Sequence, residues 1–189
     1  MWVKDTAMAT TNLIVDYLVI GTASSAWALP VLLALAGTDW LSSLAKAGVV
    51  GAVLLLGFVY VLGICMGRVA DRATDRWNDR IRDEVFGTRP GLTYHNRVNF
   101  VVAKSHTASE YLSYRRSIVR ISRACAVQFA IGSAAWPLAA CVGAGGVSLV
   151  AGGVGAVICA AACYVMWSAW KVVLRGYFHS VKDMYDALK

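Results

Sequence analysis

Charged side chains are scarce in this sequence, and their distribution is uneven. Only 15% of its 189 residues are Asp, Glu, Lys or Arg. Four stretches, near 12–37, 47–66, 124–142 and 146–170, hold Asp16 as their one charge. A soluble core helix keeps a polar stripe. Runs of about 18 to 20 apolar residues without one therefore exclude an ordinary soluble bundle and point to bilayer-spanning helices. The hydrophobic share of 58% and the mean hydropathy of +0.58 agree, both lying well outside soluble averages.

Other shortages narrow the function. The five cysteines, Cys65, Cys125, Cys141, Cys159 and Cys163, all fall in or beside the apolar stretches, which argues against a disulfide framework. The three histidines, His95, His106 and His179, all lie outside those stretches, so Cys159 and Cys163 have no imidazole partner there for a metal or haem. No HExxH, GxSxG, Walker A or paired-cysteine zinc spacing occurs. His95, His106, Ser105, Ser109 and Ser113 cluster near one loop but form no nucleophile–base pattern. No cofactor is implied. A cleavable leader fits poorly, because the first dozen residues carry one lysine and the apolar run after them is too long.

Against these absences stands a strongly one-sided basic charge. Of the 18 lysines and arginines, all but Lys46 fall at the N-terminus, in residues 67–123 or after residue 170. The positive-inside rule then predicts an all-α membrane protein with four transmembrane helices and both termini in the cytoplasm, in a bacterial inner membrane. The segments are an N-terminal hairpin over 1–66, a basic cytoplasmic helical hairpin over 67–123 extending from spans two and three, a C-terminal hairpin over 124–170, and an amphipathic tail over 171–189. That tail either continues span four against the hairpin or lies at the interface, with Val172, Val173, Tyr177, Val181, Tyr185 and Leu188 along one face. Trp2, Tyr17, Trp40, Trp167 and Trp170 fit interfacial belts. Pro30 and Pro137 are expected to kink their spans or sit near the outer ends.

The stretch "GRVADRATDRWNDRIRDEVFG" places arginine at 68, 72, 76 and 80 and aspartate three residues after each. Such pairs face one another on a helix and contribute a few tenths of a kcal/mol apiece. The returning segment carries Arg115, Arg116, Arg120 and Arg123 with Glu110 its only acid. If Arg68 and Arg123 leave the membrane at one depth, Asp71 faces Arg120 and Asp75 faces Arg116, and these cross-arm ion pairs are expected. Twelve cations against six acids in 67–123 would attract phosphates. The interleaving of the acids disfavours nucleic acid, and anionic lipid headgroups at Arg115 and Arg123 are the better fit.

Inside the spans, Asp16 and Gln128 are the notable polar groups, and an intramembrane acid is a functional candidate by default. Span four is lined with small residues, among them Ser148, Gly152, Gly155, Ala156 and Cys159, at spacings that let helix backbones approach closely. "IGTASSAWALP" from Ile20 and "IGSAAWPL" from Ile131 form a weak internal repeat. The leading functional expectation is a self-associating channel or membrane-perturbing effector coupled to a cytosolic protein partner or signal. The alternatives are a non-conducting partner or immunity protein and, third, a lipid-modifying membrane enzyme.

Overall fold

The computed structural model describes residues 2–36, 46, 48–87, 90–142 and 147–189. The connection around Trp40 and the glycine-rich turn at 143–146 lie outside these, as do the side chains of Trp2 and Lys4. The described residues form helices α1 (Trp2–Ala23), α2 (Ser25–Ala36), α3 (Gly48–Phe86), α4 (Pro90–Lys104), α5 (His106–Val142) and α6 (Leu149–Leu188), with no strand.

Helix α3 runs unbroken from an apolar first half into the Arg/Asp half, because no proline or strained residue interrupts it. It stops at Gly87, whose φ of 70° is cheap only for glycine. The Gly87 N–H donates to the Asp83 carbonyl at 3.0 Å. The returning arm is two helices, not one. Ser105 closes α4 and caps α5: its hydroxyl accepts from the Ala108 N–H at 3.3 Å, the N-cap arrangement that ends one helix and starts the next.

Helices α3, α5 and α6 are long and apolar enough to cross a membrane. The pair α1 and α2 passes the same test only as one broken span, bent by 46° between Leu13–Ala23 and Ser25–Ala36. That bend sits at Ser24, six residues before Pro30. The Ser24 N–H turns to the Gly21 carbonyl at 3.0 Å, which frees the Ile20 carbonyl. Gln128 Nε2 donates to that carbonyl at 2.7 Å and Ser24 Oγ at 3.3 Å. A side chain inserted into the helical ladder is thus the cause of the kink. The matching stretch from Ile131 is uninterrupted helix, so the two halves of the weak repeat differ in backbone.

Among the described residues, helix α5 is the axis and touches each of the other five helices. At its apolar end glycines set the spacing. A side chain at Gly21 would collide with the Val59 backbone and one at Gly63 with the Tyr17 backbone, so α1 and α3 cross with their main chains in contact. On α6, a Cβ at Gly152 would meet the Trp136 carbonyl oxygen at 3.1 Å, and one at Gly155 would strike the Trp136 ring. Ser148 does not belong to this packed row. It is the N-cap of α6 and accepts from the Ala151 N–H at 3.1 Å. Cys159 is buried and Ala156 half-buried.

At the other end α3, α4, α5 and α6 enclose a second core built on Ile81, Val101, Leu112, Trp170, Leu174 and Val181. The C-terminal tail is therefore the continuation of α6, packed into this body. Its buried face is Trp170, Leu174, Tyr177, Phe178 and Val181, whereas Val172 points out at 70% exposure.

Candidate functional site at the arginine face of helix α5

Arg116, Arg120 and Arg123 recur along α5 at intervals of four and three residues, so one helix face presents three guanidinium groups. Where that face leaves the apolar half, each finds a different partner. Arg120 Nη1 donates to Asp16 Oδ2 of α1 at 2.9 Å. Ser117 Oγ donates to the same carboxylate oxygen. The Asp16 side chain is only 6% exposed, and a polar group so deeply placed needs hydrogen-bond donors to offset its lost hydration. Arg123 Nη2 donates to Asp71 of α3. Arg116 Nε donates to the Tyr177 hydroxyl of α6 at 2.7 Å, and the Tyr177 and Tyr94 hydroxyls share a hydrogen bond at 2.9 Å.

The expected cross-arm pairs Asp71–Arg120 and Asp75–Arg116 are therefore replaced. Asp71 reaches Arg123, about one helical turn closer to the apolar half, since Asp16 has already claimed Arg120. Arg116 turns to α6, and Asp75 stays on the exposed flank of α3. Farther along α3, Asp79 pairs at 2.9 Å with Arg82, three residues after it, rather than with Arg76 before it. Arg115 folds back on Tyr111, its Nε donating to the hydroxyl at 3.0 Å with the guanidinium over the ring. Gln128 lies deeper, fully buried at the α1 kink, with its Oε1 unpartnered.

Between α3, α4, α5 and α6 these side chains surround a cavity of about 210 Å³ lined by Arg82, Arg116, Arg120, Arg123, Tyr94 and Tyr177, with Leu174 and Phe178 as an apolar floor. The Nε atoms of Arg82 and Arg123 are buried without a hydrogen-bond partner. Asp83 lies 4.0 Å from Arg82 Nε, beyond hydrogen-bond reach. Burial, reinforced by the neighbouring Tyr177, raises the Tyr94 phenol well above 10.0, so it remains a neutral donor and acceptor. Burial also pulls the Arg123 guanidinium down, the direction expected for a desolvated cation with incomplete compensation. The cavity is lined by no carboxylate, histidine, serine or cysteine among the described residues, and its guanidinium groups suit an anion. Among the described residues, no three His, Cys, Asp or Glu side chains converge as a metal site requires.

The sequence pointed to Arg116, Arg120, Arg123 and Asp16 but not to Arg82, nor to Ser117, Tyr94 and Tyr177 as their partners, nor to Gly21 and Gly63 as contact points. The signal for Ser117 was available, since Ser117 and Arg120 are one turn apart on α5; the role of Tyr94 depends on a fold-back that spacing alone does not reveal. Comparison with protein-family models, with curated proteins and with solved structures returns no match.

Proposed function

We propose that this chain is a non-enzymatic, four-span integral membrane protein of the bacterial inner membrane, with both termini in the cytoplasm, that self-associates and perturbs the membrane under control of its cytosolic helical body. The observation that carries this reading is continuity. Helices α3, α5 and α6 each run without a break from an apolar half into the polar body, so a movement of that body is transmitted to the spans as rigid rods. Small residues on the apolar exterior support self-association in lipid, where close packing rather than hydrophobicity drives helices together. Val53, Leu54 and Phe58 on α3 and Val154, Val157 and Ile158 on α6 are all more than half exposed, and Gly57 and Gly153 face open space where another helix can approach.

One observation favours the second reading, a non-conducting membrane partner for another protein. Asp16, the acid within the spans, is taken up by Arg120 and Ser117 and is not left to line an ion path within one chain. Liposomes containing the purified protein separate the two. Ion flux together with cysteine cross-linking between chains at Gly153→Cys supports the effector. Cross-linking without flux, under any membrane potential, supports the partner protein. Absence of both removes self-association from the proposal.

A further inference from the structure

We infer that the arginine-lined cavity between α3, α4, α5 and α6 is a binding site for a phosphate group. The inference stands whether or not the assembly conducts, because it rests on the charge and hydrogen-bond balance of the cavity alone. Four guanidinium groups border it; the carboxylates within 3 Å of them are Asp16 on Arg120, Asp71 on Arg123 and Asp79 on Arg82, and exposed Asp83 lies 4.0 Å from Arg82. Arg116 has a neutral phenol oxygen instead. Among the described residues, the cavity lining carries these four cations and no acid, in partly desolvated surroundings where charges interact more strongly than in water.

The donors point the same way. Arg82 Nε and Arg123 Nε are buried and unpartnered, although a buried N–H is normally satisfied. Both guanidinium groups therefore keep unused hydrogen-bond capacity beside the cavity, which a bound anion can take up as the side chains turn toward it. Arginine suits phosphate because its planar fork offers parallel N–H donors to two oxygens. Tyr94 and Tyr177 line the same wall, and since one hydroxyl donates to the other, one O–H is left for an acceptor-rich ligand. At about 30 Å³ per water, the 210 Å³ cavity accommodates a phosphate with part of its hydration shell. Arg123 sits at the edge of the apolar half of α5, so the phosphate can belong to a lipid headgroup or to a water-soluble ligand.

The test uses the full-length protein in phosphatidylcholine nanodiscs, with and without phosphatidic acid, and titrates inorganic phosphate against the phosphatidylcholine sample at constant ionic strength. Binding is followed by calorimetry for the free ion and by retained lipid in mass spectrometry for the headgroup. The informative variant is Arg116→Gln, since Arg116 holds no carboxylate and its loss strands none. Arg116→Lys keeps the charge but loses the fork, and Arg72→Gln, on an exposed turn of α3 outside the cavity, is the control. The expected result is tenfold or greater weakening in Arg116→Gln, partial recovery in Arg116→Lys, and no more than a twofold change in Arg72→Gln. Weakening confined to phosphatidic acid assigns the site to a lipid headgroup, and weakening of inorganic phosphate assigns it to a soluble ligand. The inference is overturned if neither probe binds the wild-type protein, or if Arg116→Gln, with unchanged circular dichroism and elution volume, binds as well as Arg72→Gln.

Discussion

At the scale of single residues, the deciding quantity is what each buried charge would lose with its partner. Asp16 is nearly inaccessible and holds two donors, Ser117 and Arg120, whereas the Arg120 side chain keeps 32% of its exposure. The two halves of the pair are therefore not equivalent. Arg120→Gln leaves a desolvated carboxylate with one hydroxyl and is expected to cost about 3 kcal/mol. Asp16→Asn leaves a neutral acceptor that both donors still reach and is expected to cost about 1 kcal/mol. Thermal unfolding in detergent measures both, and equal losses would mean that the carboxylate is solvated after all. Tyr94 gives a pH prediction. Its folded phenol is raised above the ordinary value of 10.0, first by burial and then by Tyr177. The native state then holds its proton where the unfolded chain has released it, so the Tyr94 contribution is intact below pH 10 and falls as pH rises above it. Tyr94→Phe should flatten that alkaline decline relative to wild type in melts taken between about pH 9 and 11.

Helices set the next scale, and there close packing distinguishes glycines that look alike in sequence. Gly153 and Gly155 sit two residues apart on α6, yet one faces open space and the other the Trp136 ring. Gly155→Leu should drive α6 off α5 and lower the melting temperature by several degrees, while Gly153→Leu should leave the monomer fold intact. Ser105→Ala removes the hydroxyl that caps α5 and should cost about 1 kcal/mol, read from the same melts. These elements also show how far the sequence could be read. The apolar runs of α3, α5 and α6 were legible, because hydrophobic length is a local property that needs no partner. So was the end of α3, since Gly87 marks it locally. The break at Ser105 was overlooked, although a serine before an uncapped helix start is a readable signal. The kink at Ser24 was beyond such reading, since it depends on Gln128 from a helix about a hundred residues away. The ion-pair register failed for a related reason. It treated 67–123 as an isolated hairpin, whereas α1 and α6 supply Asp16 and Tyr177 and redirect Arg120 and Arg116.

Over the whole molecule the question is whether the polar body and the spans form one mechanical unit. The body core draws Ile81 from α3, Leu112 from α5 and Leu174 from α6, and each of these helices continues into the apolar half. The T-shaped contact between Trp77 and Trp167, with ring centroids 5.2 Å apart, ties α3 to α6 near the junction. Hence the body is not a separate domain on a flexible stalk: its helices can shift only by moving the spans. A proline in α6 at the junction tests this directly. Val172 is exposed, so Val172→Pro removes no packed side chain, yet it deletes a backbone bond and clashes with the carbonyl four residues before, at a cost of about 3 kcal/mol or more. Hydrogen exchange should then show loss of protection over residues 173–188 and over α4, which packs on them, while the apolar half of α6 stays protected. Any ion flux shown by the wild-type protein in liposomes should lose its dependence on the body in the same variant. Unchanged protection beyond the proline would mean that the body folds on its own and that helix continuity carries no coupling.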